Sequence, residues 1–114
     1  MPHLIIEYSD NLNCDITLLM EAIYNAAVKS GVMVSEDIKV RAHPYTHFRL
    51  AHNQQQFVHV SCRLLAGRTQ QQKTGLSEII RQKLSKILPD IYSLSVEIVD
   101  MEPASYKKRL LNPK

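Results

Sequence analysis

Apolar residues recur along this chain at two spacings, every second position and every third or fourth, and the spacing switches abruptly between them. His3-Leu4-Ile5-Ile6-Glu7-Tyr8 reads as a strand. A helix-period stripe follows at Ile16, Leu19, Met20, Ile23 and Ala27. Asn13 or Cys14-Asp15 can cap its start, and Gly31 can end it as the residue just past the last turn. Ile38-Lys39-Val40-Arg41-Ala42-His43 alternates as a half-buried strand does, up to Pro44, and a polar loop runs from there through Gln56. Phe57 to Leu64 alternates again, with Val58, Val60, Cys62 and Leu64 on one face. Thr69-x-x-Gln72 is a capping-box pattern at the start of a second helix. Its stripe is Leu76, Ile79, Ile80, Leu84, Ile87 and Leu88, and Pro89 stops it. Gly75 inside that helix costs about 1 kcal/mol relative to alanine. Tyr92, Leu94, Val96 and Ile98 alternate with Ser93, Ser95 and Glu97 as a last strand, and a tail with one turn signal at Pro103 begins near Asp100.

The element order is βαβ-βαβ, and its spacing repeats: Leu4 and Ile38 lie 34 positions apart, Phe57 and Tyr92 35. Two such units, about 2–56 and 57–100, form a pseudo-repeat of parallel strand pairs, each joined by a right-handed crossover helix. The expectation is one α+β domain over 1–114, a four-stranded sheet with both helices on one face, followed by a C-terminal tail. Ferredoxin-like domains share this order. The other face would carry His3, Ile5, Glu7, His59, Ser61, Arg63, Ser93, Ser95 and Glu97, a mixture that suits either water or a polar subunit interface.

Composition narrows the function classes. The 114 residues are 45% hydrophobic and 22% charged, ordinary values for a globular chain. No apolar run approaches the ~20 residues needed to span a bilayer, and residues 1–30 lack the plan of a signal peptide. Cys14 and Cys62 make no disulfide framework and read as reduced thiols, so the cytoplasm is the expected compartment. The net charge of +3 is modest and partly sits in the tail at Lys107, Lys108, Arg109 and Lys114. Three isolated glycines, Gly31, Gly67 and Gly75, exclude a P-loop or a dinucleotide fingerprint.

Pro2 stands directly behind Met1 and opens the first strand. Once Met1 is removed, its nitrogen becomes a terminal amine, a group that titrates at roughly 7.7–8.0 when unperturbed. A base with a pKa near working pH is what proton transfer needs. The plainer reading is a stiff start to an edge strand. Lys39 and Arg41, two apart on a strand, emerge on one face. Arg68 follows Gly67 at the threshold of the second helix, where backbone N–H groups favour anions and a guanidinium offers a planar fork to a carboxylate. Together these would suit a small acid with a carboxylate at each end; singly, each could decorate a solvent face.

Five histidines, His3, His43, His47, His52 and His59, raise the question of a metal. Pro44 breaks the helix that a His43-x-x-x-His47 pair would need, and no cysteine pair has zinc spacing, so none is expected. RNA binding through the sheet is weighed on the basic balance, but Phe57-Val58-His59-Val60 lacks the Lys/Arg-Gly-aromatic run and stacking aromatics are few.

Pro2 through Asn11, Ile38 through His43, Phe57-Val58-His59-Val60 and Gly67-Arg68-Thr69 together resemble the 5-carboxymethyl-2-hydroxymuconate Δ-isomerase family. That family lies in the tautomerase superfamily, with 4-oxalocrotonate tautomerase and macrophage migration inhibitory factor. The resemblance covers nearly the whole chain and is loosest in the tail. It implies a tautomerase-like βαββαβ subunit, a homotrimer with sheets facing inward, no cofactor, and the mature N-terminal proline as catalytic base. It also implies a small di- or tricarboxylate enol substrate from aromatic-acid degradation, with Arg41, Arg68 and Lys39 as substrate-binding residues, and neither nucleic acid nor membrane as partner. The family pattern has arginine where Lys39 stands, and lysine offers a point charge in place of a fork. The loop from Pro44 to Gln56 also departs from the family and lacks glycine. A tautomerase for a different keto acid, or a non-enzymatic binding module on the same scaffold, is the alternative.

Overall fold

The structure is a computed structural model and describes residues 2–113. Met1, whose removal the terminal-amine chemistry requires, and Lys114 lie outside the described residues. Strands β1 (His3–Ser9), β2 (Lys39–Tyr45), β3 (Phe57–Leu65) and β4 (Ser93–Met101) form one sheet in the order β2-β1-β3-β4. β1 runs parallel to β2 and antiparallel to β3, and β3 runs parallel to β4. Helix α1 (Ile16–Lys29) connects the first parallel pair and α2 (Gln70–Ile87) the second. The two crossovers set both helices on one face, the α+β architecture that the period switches imply.

Burial follows strand parity. Leu4, Ile6, Val58, Val60, Cys62 and Leu64 are fully buried, and Leu19, Ile23, Ala26 and Ala27 of α1 join Leu76, Ile80 and Leu84 of α2 over them. Both helices start from side-chain caps. Asp15 Oδ1 accepts from Thr17 N–H at 2.9 Å and Leu18 N–H at 3.3 Å, so the first helix takes its cap from Asp15. In α2 the Gln72 N–H donates to Thr69 Oγ1 at 3.1 Å and the Thr69 N–H to Gln72 Oε1 at 2.8 Å, the reciprocal box the sequence spells. Gly31 holds φ at +72° just past the Ser30 cap, a left-handed turn that ends α1.

Several element ends and one loop differ from expectation. β2 continues through Pro44 to Tyr45; it is an edge strand bonded to β1 alone, where a residue without an N–H is tolerated. β4 begins at Ser93 and runs to Met101, so the exposed Tyr92 precedes it and the tail begins later than Asp100. Ile87, the penultimate member of the α2 stripe, is 39% exposed, while Leu84 before it and Leu88 after it are buried. The glycine-free loop after β2 contains a short 3₁₀ turn, Ala51–Asn53, made with His52 at φ 58° and Asn53 at φ 56°. Histidine and asparagine are among the few L-residues that enter this region at modest cost.

No helix among the described residues is long and apolar enough to cross a membrane. The core assignment has a direct check. Ile80→Ala should cost about 2–5 kcal/mol in urea unfolding, whereas Leu111→Ala, at a position 77% exposed, should stay within about 0.5 kcal/mol of wild type.

Candidate active site

Pro2 immediately precedes β1, and its parity with Leu4 and Ile6 turns its ring toward the helices, where it is buried. It has no N–H to give the ladder, but its carbonyl accepts the Lys39 N–H at 3.0 Å. Because β1 lies inside the sheet, the chain start is flanked on both sides: His3 is in register with Lys39 of β2 and with Arg63 of β3.

Arg68 reaches the same end of the sheet by another route. β3 is antiparallel to β1, so it finishes beside the start of β1, and the chain turns there through Gly67 at φ 133°. A Cβ at Gly67 would meet nothing within 4 Å, so torsion and not crowding calls for glycine. The half-buried Arg68 guanidinium donates to Leu65 O at 3.1 Å through Nη1 and to Val32 O at 3.3 Å through Nη2. It thereby straps the segment after α1 to the end of β3. Burial pushes the Cys62 thiol up to about 12, against a downward pull from the Arg68 charge. A thiol held there is a packed core group, not a nucleophile.

Lys39 and Arg41 leave β2 on the opposite, open face. Arg41 Nη1 lies 3.1 Å from His3 Nδ1, and His3 Nε2 lies 2.9 Å from the Tyr106 hydroxyl. The His3 and Tyr106 rings meet edge to face, 5.9 Å between centroids. Guanidinium can only donate, so Nδ1 must carry a lone pair and the proton of the neutral ring sits on Nε2. Partial burial holds the His3 pKa below its ordinary value of 6.5, and the charges of Arg41 and Lys39 push the same way. Folding therefore favours neutral His3: its contribution to stability is complete above about pH 6.5 and is lost as pH falls through the depressed native value.

Farther along this face the charge changes sign. The Tyr45 hydroxyl donates to Glu7 Oε2 at 2.5 Å, a bond that, ahead of slight burial and the Glu7 charge, raises the Tyr45 pKa. Glu97 lies 3.0 Å from His59 Nε2 and accepts from Ser61; the His59 bond is the main reason its carboxyl sits below the usual range. Among the described residues no group of three or more His, Cys, Asp or Glu side chains could hold a metal ion.

The four residues singled out by sequence thus divide. Pro2 and Arg68 share one end of the sheet on the helix side, while Lys39 and Arg41 stand on the open face. Periodicity placed His3 and Arg63 on that face without linking them to Arg41 or Lys39, because register is invisible in one strand's alternation. No periodicity or motif marks Tyr106, which lies in the loosely matching tail after the short 3₁₀ turn Pro103–Ser105. A cleft between the helices, lined by residues such as Asn25, Lys29 and Lys86, contains none of these groups.

The sequence model of the 5-carboxymethyl-2-hydroxymuconate isomerase family matches residues 2–113. No curated protein sequence matches the chain. Among solved structures, one described as a 5-carboxymethyl-2-hydroxymuconate delta-isomerase superposes with a TM-score of 0.78 at 22% identity, covering 98% of this chain and 89% of that one. A 5-carboxymethyl-2-hydroxymuconate isomerase from Deinococcus radiodurans R1 gives 0.75 at 24% identity, over 95% of this chain and 88% of that one. A wild-type fused 4-OT, described as a symmetric trimer, gives 0.73 at 21% identity, over 88% and 85%.

The strap has a consequence separate from any chemistry. Arg68→Ala removes two charge-assisted bonds to half-buried carbonyls and should destabilise the fold by about 1–3 kcal/mol. The measurement is the urea midpoint at neutral pH; an unchanged midpoint would dissociate Arg68 from the packing of this end.

Proposed function

Because the chain belongs to the 5-carboxymethyl-2-hydroxymuconate isomerase family, we propose that it is a cofactor-independent isomerase of 2-hydroxymuconate-type dienols with the Pro2 nitrogen as its base. The observation that carries the reading is the placement of Pro2. It begins an interior strand, enclosed by its neighbours at the sheet end where Gly67 and Arg68 also lie. No side chain could deliver a secondary amine to that position.

In this reaction the neutral amine of mature Pro2 takes the proton of the 2-hydroxyl. The O–H pair becomes the C2 carbonyl, the C2–C3 double bond moves to C3–C4, and the C4–C5 pair takes the proton back from the prolinium at C5. The product is an α,β-unsaturated 2-keto acid, and no atom or electron is gained or lost. Arg68 and Arg41 bind carboxylates, Lys39 adds a point charge, and a cation near the 2-oxygen stabilises its developing negative charge. Cations near the amine also disfavour its ammonium form and keep the base neutral at working pH. Arg68 spends two of its five N–H donors on Leu65 and Val32, which leaves the others for a carboxylate on a guanidinium already fixed in place.

Arg41 and Lys39 leave the sheet on the side away from the Pro2 ring, so a site using all four residues draws on the assembly. A homotrimer with open faces inward fits a face that pairs Tyr45 with Glu7 and His59 with Glu97. The setting proposed for this chemistry is cytoplasmic degradation of aromatic acids.

Pro2→Ala should lower kcat by at least about 10²-fold in an ultraviolet assay of 5-carboxymethyl-2-hydroxymuconate, with circular dichroism and oligomer mass unchanged. Intact mass should show the wild type without Met1. Full turnover in the variant, or full turnover with methionine retained, would remove the proline base.

A further inference from the structure

The proposed chemistry gives Arg41 a task but leaves His3 and Tyr106, the two side chains hydrogen-bonded in series behind it, without one. The series ties three separate pieces of chain together: β2 through Arg41, β1 through His3, and the segment after β4 through Tyr106. Both ring nitrogens of His3 are engaged, and each has its role fixed by its partner. Arg41 must donate to Nδ1, so Nε2–H must donate to the tyrosine oxygen.

We propose that His3 is a positioning residue for substrate binding: its Nδ1 lone pair holds the Arg41 guanidinium in the orientation that receives a substrate carboxylate, and Tyr106 locks the ring that offers the lone pair. This rests on the reading of Arg41 as a carboxylate-binding residue. Arg41 is exposed on an edge strand, and among the described residues it forms no ion pair with a carboxylate. An unrestrained arginine loses its side-chain freedom when it binds. The bond to His3 removes part of that freedom beforehand, and it does so without cancelling the positive charge, as a carboxylate partner would.

The arrangement makes binding sensitive to acid. The charged groups pressing on His3 are Arg41 and Lys39 from β2, the amino terminus of the chain, and Arg63 from β3; Tyr106 from the C-terminal segment presents its hydroxyl, and the helices cover the other side of the sheet. Protonation at Nδ1 converts the acceptor into a donor facing a guanidinium. The bond is lost and Arg41 is released, so affinity falls as pH drops below the range in which His3 is neutral.

The test compares wild type, His3→Ala, His3→Asn and Tyr106→Phe in steady-state turnover of 5-carboxymethyl-2-hydroxymuconate from pH 5 to pH 8. Asparagine carries an amide oxygen close to the Nδ1 position but does not titrate. At pH 7.5, His3→Ala should raise KM about tenfold, the scale of one charge-assisted hydrogen bond, with kcat within about twofold to threefold. His3→Asn should recover most of that loss, and Tyr106→Phe should raise KM by a smaller factor. As pH falls through the native His3 pKa, which lies below the ordinary 6.5, the wild-type KM should rise relative to that of His3→Asn, whose ratio to wild type cancels any titration of Pro2 or of the substrate. Nitrogen NMR of the wild type should show Nδ1 unprotonated and Nε2 protonated at pH 7.5, a tautomer signature that a purely structural histidine need not have.

An unchanged KM in His3→Ala, no rescue by asparagine, or a wild-type KM that falls in acid would each overturn the positioning role; the last would make His3 a charge donor to the substrate. A wild type that turns over normally while these occur leaves the isomerase reading intact and removes only the inference. A wild type with no turnover removes both.

Discussion

The first strand of this chain is an interior strand of its sheet, and that placement governs the rest. An interior strand must satisfy its backbone on both sides, so β1 is bonded to β2 along one edge and to β3 along the other. Proline can only stand at the beginning of such a strand, since it has no N–H for the ladder. Here its carbonyl takes the Lys39 N–H and the ladder begins one residue later. On an edge strand the same terminus would lie at the margin of the domain. In the interior it is surrounded by whatever begins β2 and ends β3: Lys39 on one side, Arg63 on the other, and Arg68 just past the turn at Gly67.

Strand parity then divides these groups in a way no local adjustment can undo. Successive side chains point to opposite faces, so the alternation that buries Leu4 and Ile6 sends His3, Ile5 and Glu7 outward and turns Pro2 inward. Register fixes the partners of each. Slipping β1 by one residue against β2 would exchange the faces and bury His3 and Glu7 in place of Leu4 and Ile6, which the fully buried core forbids. The separation of the Pro2 ring from Arg41 is therefore a property of the core as much as of the site. It is also why a substrate-binding role for Arg41 leads toward an assembly and away from a pocket contained in one chain.

Much of this was legible in the sequence, and the limits have physical reasons. Helix α2 announces itself by the Thr69–Gln72 box and the Leu76, Ile80 and Leu84 stripe, because capping and burial both act locally. The start of β1 was legible for the same reason. The ends of β2 and β4 were not. Whether Pro44 can sit in a strand depends on β2 being an edge, and whether Asp100 and Met101 extend β4 depends on Leu64 and Leu65 being there to pair. By sequence, Arg68 is a fork at a helix threshold. Its bonds to Val32 and Leu65 come from a packing of the segment after α1 against the end of β3 that no single element encodes. The Tyr106 contact spans 103 positions in the chain and leaves no periodic trace.

A lysine at position 39 suits the same geometry. His3 has a single lone pair, and Arg41 occupies it; a second guanidinium directly across the register would compete for the same acceptor. A lysine has no such fork and keeps its ammonium as a mobile point charge. Among the described residues none of Lys39, Arg41, Arg63 and Arg68 is neutralised by a carboxylate at ion-pair distance, so this end of the sheet stays positive. In the proposed reaction that potential acts twice. It draws a polyanionic enol toward the terminus, and it penalises the ammonium form of the amine that must stay neutral to accept a proton. The acidic side chains of the open face, Glu7 and Glu97, lie further along the strands and are held by Tyr45 and His59. Asp100, opposite Leu64 at the end where the base would work, is already paired with Lys73 at 3.1 Å.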